Sequence, residues 1–442
     1  MLEQGGQNFK MTKEKRSVFW FRRDLRLEDN HGLCRALAKG SNVRPIFIFD
    51  TTILSKLPST YDRRVDYIHQ ALQLLQQKLN VFGTDIRVYI GSPLDIFKDL
   101  NREGAIGSIF CNGDYEPDAI RRDQLIENWA AGEGIDFVSC KDQVIFEKSE
   151  VMKKDGTPYT VFTPYSRVWK SKLSPQALHP FEIEYGGFEK LDFKELPALD
   201  AIGFQKTDIQ FVESEVEASA IKDYDKSRDF PGMDTTTRLG VALRFGTISI
   251  RRCVLLASEN NETWLNELIW REFFMQILFH FPESAKLCFK PAYEAIAWRN
   301  NEGEFEAWCN GETGYPLVDA GMRELNETGF MHNRVRMVVA SFLTKHLLID
   351  WRWGEAYFAG KLLDYDASAN VGNWQWAAGC GCDAAPYFRI FNPEEQLRKF
   401  DKDLIYVKRW NPDFESKAIH KIVEHAFARD RALSTYKIGL GK

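Results

Sequence analysis

Between positions 364 and 393 this chain sets Asp364, Asp366, Asn370, Asn373 and Gln375 around two tryptophans, Trp374 and Trp376, and then runs through Asp383 to an Arg-Ile-Phe-Asn-Pro close. Indoles alone would read as core filling, the usual role of large aromatic side chains. Carboxylates and amides at this density do not fit that reading, because a buried polar group costs free energy unless a partner satisfies it. A polar aromatic ligand would be such a partner. Nine of the twelve tryptophans stand at or beyond position 264, so the chemistry is expected in the C-terminal half.

The elements that must position these groups follow from pattern. Short β-branched and apolar runs at 17–21, 43–49, 85–90, 108–111 and 135–140 alternate with helical spacing such as that of 67–79. This alternation predicts a parallel, doubly wound α/β domain over 16–145. No Gly-x-Gly-x-x-Gly follows the first strand, so the dinucleotide fingerprint of that fold is missing. Over 146–207 the periodicity fades and prolines stand at 158, 164, 175, 180 and 197, which predicts an interdomain linker. From 208 to 442 the pattern is helical, with apolar residues at helix spacing over 263–281 and 317–351.

A chain of 442 residues favours two domains over one. The formal charge of −5 argues against coating nucleic acid through global charge, and leaves room for a local basic groove. Eight cysteines form no Cys-x-x-Cys pair and no zinc set, and Cys380-Gly-Cys382 reads as a tight segment of reduced thiols. Residues 1–15 are polar, with no apolar leader, and no later run is long and uncharged enough to span a bilayer, so a cytoplasmic, monomeric protein is expected. Met1 and Met11 are alternative starts.

Several motifs in order resemble the photolyase and cryptochrome family of flavoproteins, most closely its class I cyclobutane pyrimidine dimer photolyases. They are Trp20-Phe21-Arg22-Arg23-Asp24-Leu25-Arg26, the run from Trp264 to Phe273, Thr313-Gly314-Tyr315-Pro316 with Asp319, Met331-His332-Asn333-Arg334-Val335-Arg336-Met337, and the 364–393 segment. The resemblance covers nearly the whole chain. It implies an N-terminal domain able to hold an antenna pigment and a helical domain that buries FAD. It also implies the reaction, in which fully reduced FAD absorbs light, lends one electron to a pyrimidine dimer in DNA and recovers it once the ring has split.

The resemblance implies roles for individual residues. Thr235, Thr236, Thr237, Arg238 and Leu239 resemble the cradle of the cofactor's phosphates; threonine is also a common helix N-cap, and both readings suit an anion site. Tyr224, Trp264 and Asn333 would contact the cofactor, Arg336 and Asp364 would pair beside its ring, and Asp366 would sit near its polar edge. Asn370 would face flavin N5, where an uncharged amide stabilises reduced states. Trp374, Trp351 and Trp308 would relay electrons between surface and flavin. Glu267, Trp270, Met337 and Trp376 would form the lesion pocket, with a protonated Glu267 donating to a thymine carbonyl. Met337, where (6-4) photolyases place histidine, favours the cyclobutane dimer. Arg271, Arg334 and Arg409 would engage phosphates flanking the lesion, although some relatives carry glutamine at the last position.

The residues leave the antenna open. Where some relatives hold a folate with an Asn-Glu pair, this chain has Asp118-Ala119, so a deazaflavin, another flavin or an empty pocket are all compatible. Two other readings stay in view. One is a cryptochrome photoreceptor, disfavoured by Asn370, Met337 and the short end after Asn392. The other is a DASH-type enzyme restricted to single strands, disfavoured by tryptophan and not tyrosine at 376.

Overall fold

The computed structural model describes residues 15–39, 42–415 and 420–442. Residues 1–14, with Met1 and Met11, lie outside them. Among the described residues five strands form one parallel sheet: β1 (Arg16–Phe21), β2 (Val43–Asp50), β3 (Arg87–Gly91), β4 (Ile106–Asn112) and β5 (Asp136–Cys140), in the order β3-β2-β1-β4-β5. Alternation places side chains on two faces. Phe19 and Phe21 of β1, with Phe47 and Phe49 of β2, join one core, and Val18, Trp20, Ile46 and Ile48 join the other. Helices His31–Lys39 and Arg63–Asn80 supply the first core, and Pro93–Glu103 and Pro117–Gly132 the second. The expected doubly wound domain is present.

The strand order reverses between β1 and β4, where α/β folds commonly bind ligands. Charged side chains fill that crevice. Arg22 donates to Asp123 at 2.6 Å and lies over Trp20 at 4.7 Å, and Asn112 donates to Asp24 at 2.5 Å.

The 146–207 stretch does more than connect. It forms helix Phe162–Lys172, whose Tyr165 and Trp169 join the core of helices Ile250–Asn260 and Glu262–His280, while Phe188, Ile202 and Phe204 pack under the sheet. Pro164 sits in the first turn of its helix, where no backbone N–H is missed, so proline there marked no break. Glu272 ties this stretch down by accepting from Ile145 N (2.7 Å), Phe146 N (3.0 Å) and Trp169 Nε1 (2.6 Å).

Residues 317–351 are not one helix. Helix Pro316–Thr328 stops at Gly329, which takes φ 71°, and Asn333–Ser341 starts beyond it and runs into a π-helical turn, Phe342–His346. Apolar Phe330 and Met331 continue the hydrophobic spacing through the break, so periodicity alone cannot show it. Helices Trp351–Lys361 and Ala367–Ala378 complete this part of the core. Ion pairs join the two halves: Arg26 and Arg251 both reach Asp142 (2.7 and 2.8 Å), and Arg244 pairs with Glu116 at 2.5 Å. At Gly246, φ 64°, a Cβ would come within 2.1 Å of the Arg23 carbonyl, so this approach of the halves requires glycine.

Candidate functional site

Helix Ala367–Ala378 presents the polar groups that the sequence singled out. Asp366 caps it, accepting from Ala369 N at 3.2 Å through Oδ1. Its Oδ2 receives Arg23 at 2.6 Å and Arg244 at 3.3 Å. Burial works against the charge, but the guanidiniums outweigh it and hold the carboxyl well below its ordinary range. Asp366 therefore ties its helix to the N-terminal domain. Asp364 does pair with Arg336, at 3.0 Å, and Arg336 also donates to the Met331 carbonyl at 2.7 Å. The second carboxylate oxygen of Asp364 is buried without a hydrogen-bond partner. The backbone at Gly240 runs so close that a Cβ there would lie 2.7 Å from Asp364 Oδ2.

Asn370 is oriented by a residue that the sequence reading missed. Its amide nitrogen donates to Glu355 Oε1 at 2.8 Å and to the Glu355 carbonyl at 3.1 Å, which turns the amide oxygen the other way. Burial raises the Glu355 carboxyl above its usual range. Its immediate neighbours, Gly354 and Ala356, carry no polar side chain to mark it in the sequence.

The threonines do not cap a helix. Helix Gly240–Phe245 starts after Leu239, which makes no side-chain capping bond, and Thr235, Thr236 and Thr237 lie in the preceding loop. Thr236 and Arg238 line a small, partly open pocket with Glu324, His332, Tyr406, Arg409 and Trp410. His332 accepts from Arg334 N through Nδ1, capping helix Asn333–Ser341, so its proton sits on Nε2, which is buried without an acceptor. Burial lowers its pKa to about 4, so the ring is a neutral donor at neutral pH. Asn333, exposed, opens that helix, and Trp264 is buried in the neighbouring core.

Glu267, Arg228, Asp229, Arg334 and Met337 form one cluster. Arg228 donates to Glu267 and lies over the ring of Tyr224 at 5.5 Å; Arg334 donates to Asp229 at 2.6 Å and its guanidinium comes within 4.0 Å of the Met337 sulfur. Burial pushes the Glu267 carboxyl above its ordinary range, and Arg228 opposes that shift. Arg228→Met should therefore raise the pKa of Glu267 further. Difference infrared spectra would report a protonated-carboxyl stretch persisting to higher pH than in the parent protein; an unmoved titration would count against the pairing.

Two expected phosphate contacts are turned elsewhere. Arg271 is buried and donates to the carbonyls of Gln143 (2.6 Å) and Leu243 (3.3 Å), at the junction between the halves. Arg334 is held by Asp229 and stacks over Phe400 at 4.3 Å. Helical position places both residues near the site, but the direction of a long side chain is settled by the carbonyls and carboxylates around it. Arg409 is exposed, with the Asp234 carboxylate 3.5 Å away. Trp270 stacks on Phe162 (3.7 Å, 4°) with Phe274 at 5.4 Å, so the indole is already packed against other rings. Trp376 is half-buried at the rim of the core.

Trp374 touches Trp308, with centroids 6.1 Å apart, and Phe358 at 5.0 Å. Trp308 is 0% exposed and donates to the Val339 carbonyl at 3.2 Å, so it cannot be the solvent end of a relay. Trp298, missed in the sequence, is half-exposed, and its neighbour Arg299 pairs through the backbone with Leu348, three residues before Trp351. Spacing along the chain could not separate Trp298 from Trp308; burial does.

Comparison with known proteins gives consistent matches. Residues 264–441 match the family model described as the FAD binding domain of DNA photolyase, and residues 17–183 match the DNA photolyase model. A deoxyribodipyrimidine photo-lyase of a Synechococcus species is 37% identical over 425 residues, covering 90% of this chain and 87% of that protein. The class III photolyase of Agrobacterium tumefaciens superposes with a TM-score of 0.86 at 33% identity, over 99% of this chain and 100% of that one. An archaeal photolyase from Sulfolobus tokodaii, solved with two FAD molecules, superposes with a TM-score of 0.83 at 34% identity, over 96% and 99% of the two chains.

Proposed function

Because the chain belongs to the photolyase and cryptochrome family of flavoproteins, we propose that it reverses cyclobutane pyrimidine dimers in DNA by light-driven electron transfer from reduced FAD. The observation that carries this reading is the buried, unpartnered oxygen of Asp364 beside Arg336, an acceptor waiting for a donor. The N–H groups of a flavin ring are donors of that kind, and the hydroxyl of Thr236, the guanidinium of Arg238 and the Nε2–H of His332 suit a pyrophosphate. The residues present fit FAD. When bound and reduced, FAD supplies the photoexcited electron that splits the dimer and receives it back.

The protein's own part is to hold, orient and shield. Arg336 fixes the Asp364 carboxylate, and Glu355 fixes Asn370 so that its amide oxygen is the group offered to the cofactor. Glu267, pushed up by burial, is the group placed to hold a proton against a lesion carbonyl once Arg228 gives way. Trp376 and Met337 give the pocket an apolar wall that excludes water from a flipped dimer. Trp374 is the electron donor nearest Asn370, one helical turn away on the same face. Arg409 meets a backbone phosphate, giving sequence-independent affinity for damaged DNA. One chain carries every group named, so a monomer suffices. Among the described residues no helix is long and apolar enough to cross a membrane.

The test is repair by pre-reduced protein under blue light, on duplex and single-stranded oligonucleotides carrying cyclobutane dimers, with (6-4) lesions as a third arm. Turnover of cyclobutane dimers in duplex and single strands is expected. Turnover on single strands alone would mark a DASH-type enzyme, turnover of (6-4) lesions would overturn the role given to Met337, and no turnover would mark a photoreceptor.

A further inference from the structure

Arg409, an exposed cation at the rim of the pocket lined by Thr236 and Arg238, already has an anion beside it. Asp234 places Oδ1 2.6 Å from Arg238 NH2 and Oδ2 3.5 Å from Arg409 NH1, so one carboxylate bridges the two guanidiniums across the opening. The arrangement is built into the backbone: Asp234 and Arg238 both take positive φ, 49° and 51°, a conformation that non-glycine residues seldom adopt. Each guanidinium is also seated on an aromatic ring, Arg238 over Phe330 at 4.6 Å and Arg409 over Trp410 at 5.0 Å. The short contact to Arg238 anchors Asp234, and the longer one leaves Oδ2 facing a cation that it holds only loosely.

We propose that Asp234 is an intramolecular stand-in for a DNA phosphodiester: Oδ2 occupies the place where a backbone phosphate oxygen binds Arg409, and it must be displaced each time DNA binds. The inference rests on the functional reading above. The carboxylate and Arg409 are about half exposed, 45% and 57%, so the pair is weak enough to break on binding. While it lasts, it keeps Arg409 extended over Trp410, so less side-chain entropy is lost when a phosphate arrives, and it limits how tightly DNA is held. Rapid release of repaired DNA is the benefit.

The carboxylate acts through Arg409, so a double-mutant cycle isolates it. Flavin-loaded protein is titrated in the dark with fluorescent duplexes, dimer-containing and undamaged, at several salt concentrations. Asp234→Asn is expected to tighten binding of the dimer duplex about fivefold, mainly through slower dissociation. It should also steepen the fall of log K with log salt, by up to about 0.9, the share of one phosphate contact. In an Arg409→Gln background the same substitution should gain almost nothing. Equal gains in the two backgrounds would show a general charge effect and overturn the proposal, as would unchanged affinity and dissociation in Asp234→Asn. Asp234→Ser, checked for flavin content and melting temperature, guards against a folding artefact and should behave as Asp234→Asn does. A parent protein that binds dimer DNA no better than undamaged DNA would overturn the functional reading itself, whichever way the variants behave.

Discussion

Replacing Trp374 with phenylalanine is expected to abolish light-driven reduction of the bound, oxidised cofactor, while protein reduced chemically beforehand continues to split dimers. The expectation follows from position. Trp374 lies four residues after Asn370 on helix Ala367–Ala378, so both share one face, the face proposed above to meet the cofactor. It is 2% exposed, and Gly354 leaves room for it: a Cβ at 354 would come within 2.1 Å of the indole. Phenylalanine keeps the ring contacts with Phe358 and Trp308 at a packing cost on the order of 1–2 kcal/mol, but it is far harder to oxidise. Bleaching of the oxidised-flavin band under blue light, with an external reductant present, reads the first half of the expectation; dimer repair after chemical reduction reads the second. Loss of both would make Trp374 a folding residue. The companion variants locate the solvent end of the relay: Trp298→Phe should slow photoreduction, and Trp308→Phe, buried on every side, should resemble the parent.

Arg23→Ala is expected to cost about 3–5 kcal/mol of stability at neutral pH, the price of leaving buried carboxylates without their cation. Arg23 reaches Asp366 at 2.6 Å, Glu116 at 3.0 Å and Asp114 at 3.1 Å, so one guanidinium joins the α/β domain to the helix that carries Asn370 and Trp374. Burial alone would raise Asp114 and Asp366, yet both are held well below the ordinary carboxylate range by Arg23 and the other guanidiniums around them. A carboxyl depressed in the folded state stabilises the fold above its unfolded pKa of about 3.9, and that contribution disappears as pH falls through the folded value. The parent protein should therefore lose stability steeply below about pH 4, and Arg23→Ala should start lower and fall less steeply. Denaturant unfolding across pH 2.5 to 8, roughly the span set by those carboxyls, measures both. Parallel curves would show that Arg23 does not set the charge state of these carboxyls.

Much of the fold is legible in the sequence because its signals are local. The alternation Val18-Phe19-Trp20-Phe21 declares a strand buried on both faces, and the helical spacing around it declares the crossovers. Breaks within helical sequence are not local in this sense. Gly329 ends a helix while Phe330 and Met331 prolong the apolar pattern, and the proline-rich 146–207 stretch folds into two cores because partners distant in sequence receive it.

The site divides along the same line. The Arg336–Asp364 pair named in the motifs is in contact at 3.0 Å, with Arg336 inside helix Asn333–Ser341 and Asp364 in the turn between helices Trp351–Lys361 and Ala367–Ala378. Arg271 and Arg334 stand where the motifs put them, and their long side chains turn inward to carbonyls and to Asp229 that no spacing rule reveals. Glu355 has no such motif, and Arg23 stands in one without a role attached to it: each acts through a side chain on another element, Asn370 in one case and the distant Asp366 in the other.

The central claim is that the helical half holds a flavin beside Asp364 and Asn370 and that light drives its redox chemistry. The absorption spectrum of the purified protein, or of protein incubated with FAD, followed under blue light with an external reductant, tests it most directly. A flavin spectrum whose oxidised band bleaches on illumination and returns in air is the predicted result, with any further band identifying a second pigment. Colourless protein that takes up no FAD, or a bound flavin indifferent to light, would contradict the account.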